Sequence, residues 1–263
     1  MYVVGLLLAI FVGITLGMIG SGGSIMTVPI LVYVLGINPV LATTYSLLII
    51  GTTSLVGAVS ALQHKTIDFN KVIYFGLPSM LTVFLVRSYI LPLVPDEFLI
   101  WGYAIHQENV LMVIFAIIML YSAVSMIQGK RIDIFPNIDK GNVFYIVIQG
   151  IMVGTVTGVV GAGGGFLIIP VLINSFGLTI KRAVSTSLVL ITINSLIGII
   201  GDIDRLNQFD WKLIISYILL SIIGLFIGFR LSNRIDNSVL KRGFGIVVFV
   251  LSIFILIQEL FVK

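Results

Sequence analysis

Apolar stretches divided by short polar or glycine-rich interruptions run the length of this chain. They lie near residues 2–17, 25–36, 40–62, 71–93, 109–128, 143–158, 166–177, 183–201, 213–231 and 240–261. Most are long enough to cross a bilayer as a helix, which takes about 20 residues. The stretches 25–36 and 166–177 are too short, since about 1.5 Å per residue gives each roughly 18 Å of helix. Unbroken apolar runs also exclude a porin-like barrel, whose strands alternate apolar and polar positions. The pattern predicts an all-α polytopic membrane protein.

One phrase occurs twice. Gly17, Gly20, Gly22 and Gly23 lead to Pro29, and at an offset of 141 residues Gly158, Gly161, Gly163 and Gly164 lead to Pro170. The register continues: Gly36, Ala42, Ser46, Leu47, Ser54, Leu55 and Gly57 match Gly177, Ala183, Ser187, Leu188, Ser195, Leu196 and Gly198. The chain thus divides into a transmembrane repeat over 1–128, a polar linker over 129–142 and a second repeat over 143–263. Each repeat is expected to hold a glycine-broken helical hairpin plus about three spanning helices. Glycine-interrupted apolar segments at matching places in two repeats point to a transporter binding site.

Basic residues select the topology. If each glycine-broken pair turns back as a hairpin, one side collects Lys65, Lys71, Lys130, Arg131, Lys140, Lys181, Arg182, Arg230, Arg234, Lys241 and Arg242. Only Arg87, Arg205, Lys212 and Lys263 remain for the other. If each pair were one continuous crossing, the two sides would be nearly even. Cytoplasmic loops carry the Lys/Arg excess. Inverted repeats are therefore expected, with the linker cytoplasmic and both termini outside. A second hydrophilic patch, from Pro95 to Asn109, encloses Trp101 and Tyr103 and suggests a short helix lying at the interface.

Composition agrees with this picture. The chain is 59% apolar and 10% charged, against about a quarter charged in a soluble domain. The net charge of +4 sits on loop Lys and Arg and reports orientation, not nucleic-acid binding. With no cysteine, disulfides and thiolate metal sites are excluded. His64 and His106 lie near segment ends, as interfacial polar residues do. The first residues, Met1 to Val4, form no basic n-region, so no cleaved signal peptide is expected.

The candidate chemistry gathers at the glycine turns. Non-helical backbone inside a bilayer survives only where protein or a water-filled cavity satisfies its polar groups. Glycine permits such dihedrals and lets a ligand approach the main chain. Helices beginning near Ser24 and Gly165 would offer N–H groups and a positive dipole end to an anion. The candidate substrate-binding set is Gly20, Ser21, Gly22, Gly23, Ser24, Gly161, Gly163, Gly164 and Gly165. Hydroxyls and an amide on the following helices extend it: Thr43, Ser46, Thr53, Ser185, Ser187 and Asn194. The plainer alternatives are helix packing for the glycines and bonds to the i−4 carbonyl for the hydroxyls. Gly13, Gly17, Gly154 and Gly158 fit the packing alternative well. Arg87 and Arg230 fall at nearly matching places within or at the end of an apolar segment. There they either snorkel to headgroups or draw anions into a vestibule.

Other chemistries find no support. Ile25 and Phe166 occupy the last glycine position of a dinucleotide fingerprint, and no Lys-Ser/Thr follows as in a P-loop. The acids all fall in loops or near segment ends, so no proton relay or metal site is predicted. No nucleophile–base pair is visible, and neither an enzyme nor a cofactor is expected.

In these residues the chain resembles the sulfite exporter TauE/SafE family, also called the toluene sulfonate uptake permeases. The likeness lies in the paired Gly-x-x-Gly-x-Gly-Gly phrases leading to Pro29 and Pro170. It includes Ala42-Thr43-Thr44-x-Ser46 and Ala183-Val184-Ser185-Thr186-Ser187. The resemblance implies a multi-pass transporter in the inner membrane of a prokaryote, carrying sulfite, sulfoacetate or another organosulfonate. Ser24 stands where the second phrase has Gly165, so the two half-sites need not be equal. The partners expected are a small anionic substrate and the lipid bilayer, with no nucleic acid. A homo-oligomer is compatible with the chain. An inside-negative potential drives each anionic charge outward by about 2.3 kcal/mol per 100 mV, which favours export. The alternative is a membrane-embedded interaction or assembly subunit.

Overall fold

A computed structural model describes the whole chain except residues 21, 64–65, 96, 101–102, 129–142, 233–236 and 263. Among the described residues, eight helices are long and apolar enough to cross a membrane. They are built on α1 (Tyr2–Ile19), α3 (Pro39–Gln63), α4 (Phe69–Leu85), α6 (Gln107–Gln128), α7 (Val143–Val160), α9 (Ile180–Gly201), α10 (Trp211–Ser232) and α11 (Asn237–Ile257). The α4 span continues through a π-helical turn, Val86–Ile90, into the short α5 (Leu91–Leu93). Two shorter helices, α2 (Gly22–Pro29) and α8 (Gly165–Asn174), occupy the two short apolar stretches. Many large apolar side chains face outward, among them Leu7, Leu81, Ile223 and Val250. Water would penalise such a surface, whereas lipid solvates it.

The Pro95–Asn109 patch corrects the expectation of an interfacial helix. It holds an antiparallel β-hairpin, β1 (Glu97–Ile100) with β2 (Tyr103–His106). Two residues separate the strands, the commonest hairpin spacing, and Ile100, Tyr103 and Ile105 are good strand formers. Glu97 faces His106 across the pair, with Oε1 3.6 Å from Nδ1. Trp101, on which the helix reading leaned, lies outside the described residues.

Each glycine phrase reverses the chain. Gly20, left-handed at φ 75°, caps α1 through its N–H to Leu16 O at 2.7 Å. α2 then runs back along α1, with Gly23 against the Val12 carbonyl and Leu35 against Gly5. Pro29 cannot donate to the helical ladder, and a π-helical turn, Ile30–Val34, follows it. In the second half Gly161 caps α7 at φ 69°, its N–H 2.9 Å from Thr157 O. α8 returns along α7, bringing Gly164 to Thr157 and Ser175 to Gln149, where Nε2 donates to Oγ at 3.1 Å.

The two turns are not built alike. Gly163 and Gly164 are left-handed at φ 64° and 68°, conformations that favour glycine. Gly22 and Gly23 instead belong to α2, which corrects the expectation of non-helical backbone there. A Cβ on Gly23 would strike the Val12 carbonyl, so this glycine serves close packing.

Glycine seams bind the bundle. α1 and α10 run in the same direction, with Gly13 on the Ser221 carbonyl and Gly17 on that of Leu225. On the facing helix, Gly224 and Gly228 meet the carbonyls of Ile10 and Ile14. α7 and α4 pair likewise: a Cβ on Gly154 would stand 2.5 Å from Ser79 O, and one on Gly158 2.7 Å from Val86 Cβ. The small-xxx-small spacing of the sequence accounts for both seams. α3 and α9 pack antiparallel at the centre. Gly57 meets Leu188, Gly198 meets Leu47, and the hydroxyls of Ser54 and Thr192 bond at 2.9 Å.

Candidate functional site

The glycine turns pack against the central helices from opposite ends. Gly20 abuts Val184 on α9, and Ser187 Oγ donates to Gly20 O at 3.2 Å. Gly161 abuts Thr43 on α3, at the place in the first repeat that matches Val184. Gly163 reaches further toward the crossing of α3 and α9. A Cβ there would lie 2.8 Å from Ser195 Oγ, 3.0 Å from Ile191 Cγ2 and 3.3 Å from Ile50 Cγ2. Gly161, Gly163, Gly164 and Gly165 are all buried, as is Ser24. Ser21 lies outside the described residues.

Hydroxyl positions divide into two groups. Thr53 donates to Ile49 O at 2.7 Å within its own helix, the plainer of the two sequence readings. Others face across helices. Thr43 Oγ1 accepts from Arg87 Nη1 at 3.0 Å, Ser185 Oγ accepts from Thr66 at 2.7 Å, and Asn194 Nδ2 donates to Ser79 Oγ at 2.8 Å. Around the second turn, Ser46 Oγ, Thr157 Oγ1, Asn194 Oδ1 and Ser195 Oγ are buried with no hydrogen-bond partner among the described residues. Buried polar atoms are paired in the great majority of cases. Two of these exceptions stand directly beside left-handed glycines, Ser195 Oγ at Gly163 and Thr157 Oγ1 at Gly164.

A cavity of about 500 Å³ opens where α1, α3 and α10 end and α9 begins. Ile180, Lys181, Val184 and Ser185 bring the first turns of α9 to its wall, so the positive end of that helix faces the space. Ser60, Thr66, Ser185 and Ser232 add hydroxyls, and no carboxylate is among the described lining residues. The cavity reaches Gly17 and Val184, the latter in contact with Gly20. Among the predicted residues, Ser185 therefore lines open space, while Gly20 and Ser187 stand directly behind the wall. Lys181 is absent from the sequence-based candidates, although it lies in the first turn of a helix directly after a glycine-broken segment.

The two arginines do not form a pair. Arg230 is exposed near the end of α10. Arg87 is fully buried, which corrects the headgroup reading for this residue. Its Nη1 lies 2.6 Å from Asp202 Oδ2, at the C-terminal end of α9. Thr44 Oγ1 also donates to Asp202 Oδ2, at 2.8 Å, and Arg205 Nη1 stands 3.7 Å from Oδ1. Asp202 sits at a segment end, as expected, yet is only 5% exposed because Arg87 is brought to it. Removing one partner of a buried ion pair typically costs about 3–5 kcal/mol, since the other charge is left uncompensated. Among the described residues, no group of three or more His, Asp or Glu could hold a metal ion.

Comparison with known proteins follows the same lines. A family model described as "Sulfite exporter TauE/SafE" matches residues 5–255. A "Probable membrane transporter protein" of Xylella fastidiosa (strain 9a5c) is 26% identical over 258 residues, covering 93% of this chain and 91% of its own. The "Probable membrane transporter protein YjnA" of Bacillus subtilis is 28% identical over 248 residues, covering 90% and 92%. The "Probable membrane transporter protein MJ0441" of Methanocaldococcus jannaschii reaches 37% identity over 107 residues, covering 38% and 40%. No solved structure matches.

Proposed function

The chain belongs to the sulfite exporter TauE/SafE family of membrane transporters, and from that premise we propose that it exports a small sulfur-containing anion such as sulfite, sulfoacetate or another organosulfonate. The observation that carries the choice of an anion is the cavity. It offers Lys181, four hydroxyls and the positive end of α9, with no described carboxylate to repel the substrate. Ser185 makes an early contact on the wall. Beyond it we place a polar path that passes Gly20 and Ser187 toward Gly163, Asn194 and Ser195 at the crossing of α3 and α9.

Inverted repeats belong to the same proposal. α3 and α9 occupy equivalent places in the two sequence repeats and run antiparallel through equivalent contacts, Gly57 on Leu188 and Gly198 on Leu47. A two-fold axis relating antiparallel helices is perpendicular to them. For helices that cross a bilayer, such an axis lies in the membrane plane. The exchange of partners supports the same symmetry: α1 of one repeat pairs with α10 of the other, and α7 with α4. The linker over 129–142 then faces the cytoplasm of a prokaryotic cell, and the cavity opens on that side.

Export needs no coupled proton in this scheme, because the membrane potential drives an anion outward by about 2.3 kcal/mol per charge per 100 mV. Proteoliposomes loaded with radiolabelled sulfite test it. Efflux should accelerate when a potassium diffusion potential makes the lumen negative and slow when the potential is reversed. A thermal-shift panel of sulfite, sulfate, taurine, sulfoacetate and thiosulfate identifies the anion to load. Absence of flux for every anion in the panel would leave the assembly-subunit reading in its place.

A further inference from the structure

The cavity has a counterpart at the other end of the bundle, and there the space is shut. By the 141-residue register, Val184, Ser185 and Ala61 on the cavity wall correspond to Thr43, Thr44 and Asp202. The seams fix the remaining position. Gly13 lies on the Ser221 carbonyl as Gly154 lies on that of Ser79, so Phe229 on the cavity wall corresponds to Arg87. What lines open space at one end is therefore replaced at the other by a buried guanidinium, its carboxylate and two threonines.

The guanidinium is only half used. Nη1 serves Asp202 and Thr43. Nε and Nη2 have no hydrogen-bond partner among the described residues, and Nη2 lies against Gly161, at the second glycine turn. An arginine fork matches an oxyanion through two parallel bonds. We propose that Arg87 is a second anion site, closed by Asp202, and that a small oxyanion takes the place of the Asp202 carboxylate on Arg87 when this end opens. The exchange swaps one anion for another, so the buried guanidinium is never left bare. Asp202 keeps a second cation within reach in Arg205, 3.7 Å away and partly exposed. This inference rests on the anion-transport reading and adds a residue and a gate to it.

Single cysteines test the gate in the full chain, which has no thiol of its own. Ser185→Cys, on the open wall, and Thr44→Cys, its buried counterpart, are treated in detergent micelles, where both ends are accessible, with a cationic methanethiosulfonate. The former should react readily, and the latter should be protected. Adding Asp202→Asn should raise the Thr44→Cys rate at least tenfold, and sulfoacetate, which unlike sulfite does not consume the reagent, should then slow it by a similar factor. Asp202→Asn alone risks misfolding around an unpaired arginine. Arg87→Gln/Asp202→Asn removes both charges, and Thr44→Cys should be reactive there too, now without protection by sulfoacetate. A reactive Thr44→Cys in the parent chain would overturn the proposal. So would persistent protection of that cysteine in both gate variants, or sulfoacetate protection that survives the loss of Arg87. If the parent carries no anion of the panel, the transport reading falls, while the gain in reactivity still reports the gate.

Discussion

Gly163→Ala and Gly177→Ala form a matched pair that separates backbone strain from crowding at the turn. Both glycines are left-handed, at φ 64° and 65°. An L-residue in this region loses roughly 1–2 kcal/mol. At Gly177 a Cβ would meet nothing within 4 Å, so the strain is the whole cost. At Gly163 it would meet Ser195 Oγ at 2.8 Å and methyls of Ile191 and Ile50 at 3.0 and 3.3 Å. β-Branched side chains are stiff at χ1 and cannot turn away freely. Overpacking of this kind adds about 1–3 kcal/mol. Gly163→Ala should therefore cost about 2–5 kcal/mol, and Gly177→Ala about 1–2 kcal/mol. Reversible unfolding in mixed micelles measures both, and anion flux in proteoliposomes should fall at least tenfold in the first and stay near the parent rate in the second. Adding Ser195→Ala removes the nearest atom, whose hydroxyl has no described partner to lose. It should recover about 1 kcal/mol of the Gly163→Ala loss. Equal costs at the two glycines would refute the crowding argument, and a normal flux in Gly163→Ala would remove this turn from the transport path.

Three further expectations follow from the same geometry. Cysteines placed singly at Asn137 and Lys263 should label from opposite sides of the membrane; labelling from one side would end the inverted-repeat reading. Lys181→Gln should weaken the apparent affinity for the transported anion by roughly two- to fivefold, as loss of an exposed charge worth up to about 1 kcal/mol requires. The effect should shrink in high salt and be largely absent in Lys181→Arg, as a flux titration at two ionic strengths would show. Gly17→Ala, which drives a methyl into the Leu225 carbonyl, should lower unfolding stability by about 1–3 kcal/mol. Gly243→Ala, with nothing within 4 Å of its Cβ, should leave stability unchanged or raise it by about 0.5–1 kcal/mol.

Length and hydropathy were enough to locate the helices, because a segment that must satisfy its own backbone in lipid has few alternatives. The stretch read as 40–62 became Pro39–Gln63, and 183–201 became Ile180–Gly201. The breaks at Gly20 and Gly161 were equally legible, since glycine clusters inside apolar runs have few other uses. What glycine does at each place was not. The letter records a missing side chain, which Gly23 uses for packing against α1 and Gly163 uses for its left-handed dihedral. The β-hairpin was hidden because aromatic residues in a polar patch suit an interfacial helix as well as a strand pair. The contact of Arg87 with Asp202 was hidden for another reason. It joins residues far apart in the chain, and the segment-end position of Asp202 predicted exposure.

The α1–α10 seam has a consequence for synthesis. Gly17 and its neighbours leave the ribosome long before the carbonyl on which Gly17 rests, that of Leu225. At about 5–20 residues per second, the intervening chain takes roughly 10–40 s to make. Throughout that interval the grooved face of α1 can meet only lipid or a helper protein. A nascent chain arrested before Trp211, where α10 begins, should hold α1 packed on α2 but with its Gly13–Gly17 face uncovered, and a cell's membrane quality control would see that face as an orphan. The order of insertion thus differs from the order of completion: α1 enters the bilayer well before α10, yet its packing is finished only when α10 arrives.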